Sequence, residues 1–385
     1  MSMQQGANGP SNGPSRVYAY ITSKSYPSST ADHIYVRELV RALSKYSQTY
    51  LVVGGMGKGA TEELSGIQVV NSGLNWRRLR SLGYFAWVPM LASRVAPDVI
   101  ISNDQWIFLS LIFWKRLGLI RSKLVFDLHA RSNTYKENLV LRYTDALMTV
   151  TSCIQRRVVL QFPGLKGRVF TFPNAVNLDV FDINESQESS RTKLGLDVNA
   201  KLVVYTGRFK TLGMEKGIGD IIQAFRSQDL VGVNFVGVGA RPEELREYEK
   251  YMEAAGVSNV VLIGEVSQPE LALYQKASDA LIMYFPDKLH YREFMSPMKM
   301  FEYMATGVPI ISSDLPVLRE VLKHEVNSLL VAPSDYSQWA TALDRLVSNR
   351  EFAFALGNTA HTDYLTNHTW LKRAEALLKL ARHEK

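Results

Sequence analysis

Leu202-Val203-Val204-Tyr205-Thr206-Gly207-Arg208 is a β-forming run that stops on a glycine and a basic residue. β-Branched and aromatic side chains fit a pleated strand, and glycine permits a sharp turn where the strand ends. Working outward, the same theme recurs. Strand-like runs lie downstream at Asn234–Val238, Val260–Ile263, Ala280–Tyr284, Pro309–Ser312 and Ser328–Val331. Amphipathic helical patterns separate them near 217–226, 241–255, 268–277, 297–305, 315–323 and 336–347. Upstream, strands are expected at Val17–Thr22, Tyr50–Val53, Gln68–Val70, Asp98–Ser102, Lys123–Leu128, Ala146–Val150 and Arg168–Phe172. Helical patterns there include one after Thr30, a candidate cap, and others near 77–95, 105–117 and 152–161. Strands alternating with helices imply parallel sheets covered on both faces. The polar stretch Asp182–Asn199 divides the two series. The fold class is therefore α/β, with two Rossmann-like domains facing across a cleft. Residues 1–15 read as a disordered tail, 16–180 as the first domain and 181–361 as the second. Ligands of such sheets bind beyond the carboxyl ends of strands.

Composition narrows the class. The chain has 385 residues, 46% apolar and 21% charged, which excludes collagen-like, coiled-coil and wholly disordered chains. A single core stops growing near ~250–300 residues, so two domains are expected. The lone Cys153 leaves no disulfide framework and no cysteine-based zinc site, and points to a reducing, cytoplasmic setting. The first fifteen residues have no apolar core of a secretory signal. The longest near-apolar run, Trp106 to Trp114, falls well short of the ~20 residues that cross a bilayer. The net charge of +7 is uneven: residues 1–176 hold 21 Lys and Arg against 9 Asp and Glu, whereas the rest hold 23 against 28. A basic first half points to an anionic partner, or simply solvates a surface.

The chemistry-bearing residues cluster at strand ends. Ser296-Pro297-Met298-Lys299-Met300-Phe301-Glu302-Tyr303-Met304-Ala305-Thr306-Gly307 reads as a helix with Ser296 at the N-cap, Pro297 at the first position and Gly307 as a left-handed stop. A helix N-terminus suits a phosphate. Lys299 adds a charge in the first turn, and Glu302, one turn on, is placed to accept bonds from sugar or ribose hydroxyls. The same spacing fits a capped surface helix with a Lys–Glu pair. Gly207-Arg208 followed by Lys216-Gly217 offers a forked and a point cation, or a solvated loop. His129, after Val125-Phe126-Asp127-Leu128, is placed either to meet substrate or to serve packing alone. No Asp-x-Asp occurs in the chain, so a metal–diphosphate site of that type has no support. The absence of Gly-x-Gly-x-x-Gly after the first strand, and of a P-loop, weakens dehydrogenase and NTPase readings.

With these motifs in order, the chain from Arg16 resembles the GT-B retaining glycosyltransferases of family 4 (glycosyl transferases group 1). Phe172-Pro173-Asn174-Ala175-Val176-Asn177 is similar to the family's interdomain motif, and Gly207-Arg208 with Lys216-Gly217 to its diphosphate-binding pair. Phe235-Val236-Gly237-Val238-Gly239 and Leu262-Ile263-Gly264 resemble its nucleotide-side strand ends, and the Ser296–Gly307 run its donor helix. Thr369-Trp370 and the final helix, within 362–385, resemble the segment that crosses back to the first domain. There are departures. The family's two glutamates stand eight apart; eight before Glu302 is Phe294, with Glu293 one residue off. Arg208 and Lys216 are eight apart rather than five, and the loop Ser25–Thr30 lacks the common Gly-Gly.

The resemblance implies transfer of a sugar from a nucleotide-diphosphate sugar to an acceptor hydroxyl with retention, in glycan, glycolipid or polysaccharide synthesis, without a metal cofactor. Double displacement needs a carboxylate nucleophile, and none is evident, so front-face attack is implied. Arg208, Lys216 and the helix start at Ser296 and Pro297 would neutralise the departing diphosphate. His129 would position the sugar, Glu302 the ribose, and Lys299, Gly207, Ile263, Gly264 and Glu293 would line the donor site. A glycan or lipid-linked acceptor, rather than nucleic acid, is expected on the first domain. There Trp76-Arg77-Arg78-Leu79-Arg80, leading to Phe85 and Trp87, suits peripheral binding to an anionic membrane, or ordinary packing. A nucleotide-sugar epimerase and a non-catalytic sugar-nucleotide-binding protein stand as alternatives on the same fold.

Overall fold

The computed structural model describes residues 16–26, 31–57, 64–72, 80–211, 213–227 and 230–382. Thr30 and Trp76–Leu79 lie outside the described residues, as does most of the loop Ser25–Thr30. The described chain forms two compact units. One takes in the chain up to Leu128, Ser132–Met148 and the chain from Ala374; the other takes in His129–Arg131 and Thr149–Arg373.

The first sheet contains β1 (Val17–Ile21), β2 (Gln48–Val53), β3 (Gln68–Asn71), β4 (Val99–Ser102), β5 (Lys123–Leu128), β6 (Ala146–Thr149) and β7 (Val169–Thr171), in the order β3-β2-β1-β4-β5-β6-β7. The second contains β8 (Lys201–Thr206), β9 (Val233–Ala240), β10 (Val260–Gly264), β11 (Ala280–Met283), β12 (Ile310–Ser313) and β13 (Leu329–Val331), in the order β10-β9-β8-β11-β12-β13. Each order reverses beside its first strand, and the pairings of β8 with β9 and with β11 are parallel. This is the doubly wound arrangement, in which the strand ends open a crevice at the reversal.

Burial explains why these runs are strands rather than surface ribbons. On β8, Leu202 and Val204 enter one core cluster, and Val203 and Tyr205 enter another. Alternate residues of a strand point to opposite faces, so both faces are covered and the run reads as continuously apolar. Helices Gln268–Ala277 and Met298–Thr306 supply Ala272, Tyr274, Met300 and Tyr303 to the first cluster. Helices Ile218–Ala224 and Tyr336–Ser348 supply Ile221, Ile222, Trp339 and Leu343 to the second.

One expectation fails on the backbone. Residues 315–323 form successive turns rather than a helix. Leu315, Val317, Leu318, Val321 and Leu322 are buried. Short bonds from Leu318 N to Leu315 O and from Val321 N to Leu318 O, both 3.0 Å, tighten the chain. The polar stretch Asp182–Asn199, which divides the two series, holds helix Gln187–Leu194, capped by Ser186 and stopped by Gly195 at φ 67°. Its buried anchor is Arg191, which donates to Ala277 O at 2.8 Å, Val198 O at 2.7 Å and Asp279 Oδ2 at 2.9 Å. An arginine anchor leaves no apolar periodicity to read.

Candidate functional site

Three strands of the second unit end together. Tyr205 pairs with Gly237 and Thr206 with Val238, while Val238 pairs with Ile263 and Ala240 with Gly264. Gly207, Gly239 and Gly264 therefore reach the same carboxyl edge. Gly207 turns at φ +102°, and its N–H donates to Val238 O at 2.8 Å. Gly239 sits at φ +114°, and a Cβ there would lie 2.8 Å from the Gly207 carbonyl. The two backbones can approach this closely only without side chains. After Gly207 the chain makes a short antiparallel pair, Lys210–Thr211 with Met214–Glu215, and returns at Lys216.

Three cations meet above this edge. Lys299 stands in the first turn of helix Met298–Thr306 and is buried, 7% exposed. Its Nζ lies 3.5 Å from the centre of the Tyr205 ring and 3.6 Å from where a Cβ on Gly207 would be. Burial first, and then the Lys216 charge, hold its amine well below the usual lysine range, against a smaller pull from Glu302. Lys216 is brought down to about 8, by burial first and then by Arg208. Arg208 is more than half exposed, with its Nε 3.6 Å from Glu265 Oε1. The counter-charge is Glu302, which burial raises to about 6. Its Oε2 accepts from Gln275 Nε2 at 3.2 Å, and the same amide reaches Thr206 Oγ1 at 3.0 Å. Tyr303 OH accepts from Thr206 N at 2.8 Å and so ties the helix to the end of β8. Three basic side chains, faced by the raised Glu302 carboxyl, by Glu265 at Arg208 and by Glu244 near Lys216, leave an excess of positive charge that suits an anion.

The start of the helix differs from expectation. Pro297, not Ser296, holds the N-cap position, and no side chain caps there. Ser296 is engaged elsewhere: its Oγ accepts from Asn174 N at 2.9 Å, and its carbonyl accepts from Asn174 Nδ2 at 2.6 Å. The Phe172–Val176 segment is held in turn by the buried Arg373, which donates to the carbonyls of Phe172 and, at 2.7 Å, of Pro173. Tyr364 OH accepts from Val176 N and donates to its carbonyl. Gly307 closes the helix at φ 69°, the left-handed stop expected.

The remaining candidates are spread out. Ile263 and Gly264 end β10. His129 follows β5 directly and is half-buried. Glu293 ends helix Leu289–Glu293, and its carboxylate is taken by Arg157, whose guanidinium also lies over the Phe294 ring at 5.3 Å. The structure thus joins Gly207, Arg208, Lys216, Lys299 and Glu302, while Glu293 is engaged by Arg157. Sequence reasoning missed Tyr205, Gln275, Asn174 and Tyr303. Gln275 carried a signal, a polar residue on the inward face of an otherwise apolar helix. Among the described residues no three His, Cys, Asp or Glu are grouped to hold a metal ion.

Residues 200–349, which contain Arg208, Lys216, Lys299 and Glu302, match the family described as glycosyl transferases group 1. The chain is 29% identical over 229 residues to an uncharacterized glycosyltransferase of Methanocaldococcus jannaschii, covering 58% of this chain and 56% of that one. It is 27% identical to the D-inositol 3-phosphate glycosyltransferase of Xylanimonas cellulosilytica, covering 55% and 51%. The match thus spans about half the length of these relatives. Two solved structures cover nearly the whole chain. Sucrose-phosphate synthase from Thermosynechococcus elongatus superposes with TM-score 0.72 at 18% identity, covering 95% of this chain and 98% of that one. Anabaena HepE in complex with UDP-glucose superposes with TM-score 0.69 at 17% identity, covering 94% and 99%. The fold is GT-B, with two Rossmann-like domains.

Proposed function

We propose that this GT-B chain, whose group 1 glycosyl-transferase match coincides with its cation cluster, moves a sugar from a nucleotide-diphosphate sugar to an acceptor hydroxyl. The observation that carries the reading is the meeting of Arg208, Lys216 and Lys299 at the strand ends, with Glu302 one turn away. A leaving diphosphate gathers negative charge as the glycosidic bond breaks, and prepositioned cations stabilise it without reorganising. Glu302 then accepts from the ribose hydroxyls, and His129 orients the sugar. As the resemblance to the retaining group 1 enzymes implies, attack comes from the face the diphosphate leaves, without a covalent carboxylate intermediate, and configuration is retained. The side-chain cations replace a metal. Transfer should therefore survive EDTA; complete loss restored by Mg²⁺ would contradict this.

The acceptor belongs to the first unit, and an anionic lipid surface fits its chemistry. Helix Gln105–Arg116 and the turn after it leave Trp106, Phe113, Leu117 and Leu119 exposed. Arg116, Arg121 and Arg142 are exposed near them in sequence, whereas the carboxylates of Asp127 and Glu137 are buried. Exposed aromatics beside exposed cations favour peripheral binding. Among the described residues no helix is long and apolar enough to cross a membrane. The reading is tested with UDP-, GDP- and ADP-sugars. At least one should raise the melting temperature, and free nucleotide should appear only when a lipid-linked or glycan acceptor is added. No shift with any donor would overturn it, and nucleotide-sugar isomerisation without acceptor would favour an epimerase.

A further inference from the structure

Lys299 holds a place that ordinary packing does not explain. Its side chain is 7% exposed, and its Nζ has no hydrogen-bond acceptor among the described residues. Several elements face it. The Tyr205 ring comes from β8, with its centre 3.5 Å away, and the Phe285 ring follows β11, with its centre 5.8 Å away. Lys216 comes from the loop after β8, with Arg208 beside it in turn, and Glu302 from its own helix. An aromatic face attracts an ammonium, but the neighbouring Lys216 charge repels one. A methionine of similar volume would fill the space with no charge to desolvate, and such replacements are often neutral or stabilising. A lysine kept in such a place fits a ligand that supplies what the protein withholds.

We propose that Lys299 is the proton-coupled cation of this site: it waits without a hydrogen-bonded counter-charge beneath the Gly207 turn, and an arriving diphosphate brings a proton from solvent onto its amine. The inference rests on the donor reading above and adds the linkage to it. The balance is simple. The neutral amine takes one proton from the buffer to become an ammonium, and the ammonium pairs with a phosphate oxygen; no covalent bond to the ligand forms. Burial favours the neutral amine while the site is empty, which agrees with the lowered lysine range. A ligand that binds the charged form more tightly must raise that range and take up a proton. Donor affinity then falls as pH rises, because the proton becomes harder to supply.

The test is calorimetric titration of UDP, GDP, ADP and pyrophosphate into the full chain near pH 8, in buffers of different ionisation enthalpy. The dependence of heat on buffer gives the protons taken up. The intact chain should take up as much as about one proton more per bound diphosphate than Lys299→Met, and the variant should bind on the order of tenfold more weakly. Comparing the two proteins cancels the ligand's own phosphate ionisation. Lys299→Met should melt no lower than the intact chain, which a purely structural lysine would not permit. Lys299→Gln is the second variant if the methionine form misfolds. Equal proton uptake with and without Lys299 assigns the proton to Lys216 and overturns the inference while leaving the donor reading intact. Failure of all four diphosphates to bind removes the anion site and both readings with it.

Discussion

Arg208 and Lys216 follow the strand whose end defines the site, yet their surroundings differ. Arg208 is exposed, whereas Lys216 is half-buried and its pKa is brought down to about 8. Both are expected to face the departing diphosphate. Replacing either with alanine should lower turnover by roughly 10²–10³, the usual loss for one donor of an oxyanion-type site. Initial rates at saturating donor check this, and near-normal rates in both would remove the assignment. Lys216 also ties stability to pH. Its folded pKa of about 8 lies below the unfolded value of 10.5, so between those values the unfolded chain binds more protons. Stability from this group is present above pH 10.5 and is lost as pH falls toward 8. Glu302 has the opposite sign: its folded value of about 6 exceeds 4.5, so its contribution is lost as pH rises across that window. Denaturant melts from pH 5 to 10 should therefore show a minimum with stability rising above it; Lys299, also held low, contributes with the same sign, so Lys216→Met should flatten the upper arm in part. An upper arm unchanged by that substitution would place the proton elsewhere.

At the scale of elements, the edge formed by β8, β9 and β10 depends on the contact between Gly207 and Gly239. Gly239→Ala puts a Cβ 2.8 Å from the Gly207 carbonyl at a backbone φ of +114°. Strain of this kind costs about 1–3 kcal/mol, and relief by moving the Gly207 turn would displace Arg208. Chemical denaturation and donor titration should both show a loss; a variant with native stability and affinity would refute the contact. What the sequence disclosed here follows from period and capping. Lys123–Leu128 and Gln268–Ala277 match their expected bounds because one is a continuously buried strand and the other begins at Ser267 with Pro269 in its first turn. Ser296 was misplaced because a Ser-Pro pair marks a helix start without fixing which residue is the cap; here the Ser296 hydroxyl binds Asn174, far away in sequence. Arg208, Lys216, Lys299 and Glu302 were legible as residues at strand ends and in a helix's first turn. The burial of Lys299 against Tyr205 was not, because it depends on Gly207 and Tyr205 coming from a strand some ninety residues earlier.

For the whole molecule the ruling property is charge. Residues 1–176 carry 21 basic against 9 acidic side chains, and the balance reverses in the rest of the chain. If the first unit works on an anionic bilayer, its binding must be salt-sensitive, since the screening length falls from ~10 Å at 0.1 M to ~3 Å at 1 M salt. Each Arg near such a surface contributes about 1 kcal/mol. Arg77, Arg78 and Arg80 belong to the basic segment read from the sequence, while Arg116, Arg121 and Arg142 are exposed within the described unit. Changing either triplet to Glu should release the protein from phosphatidylglycerol vesicles in a sedimentation assay. The triplet with the larger effect locates the contact. UDP binding, assigned by the proposed function to the second unit, should not change. Trp106→Ala should weaken binding in a way that salt does not mimic, because its exposed ring contributes apolar area rather than charge. Vesicle binding that is equal in all variants, or absent in every protein, would reject the membrane and leave a water-soluble acceptor as the partner of the basic face.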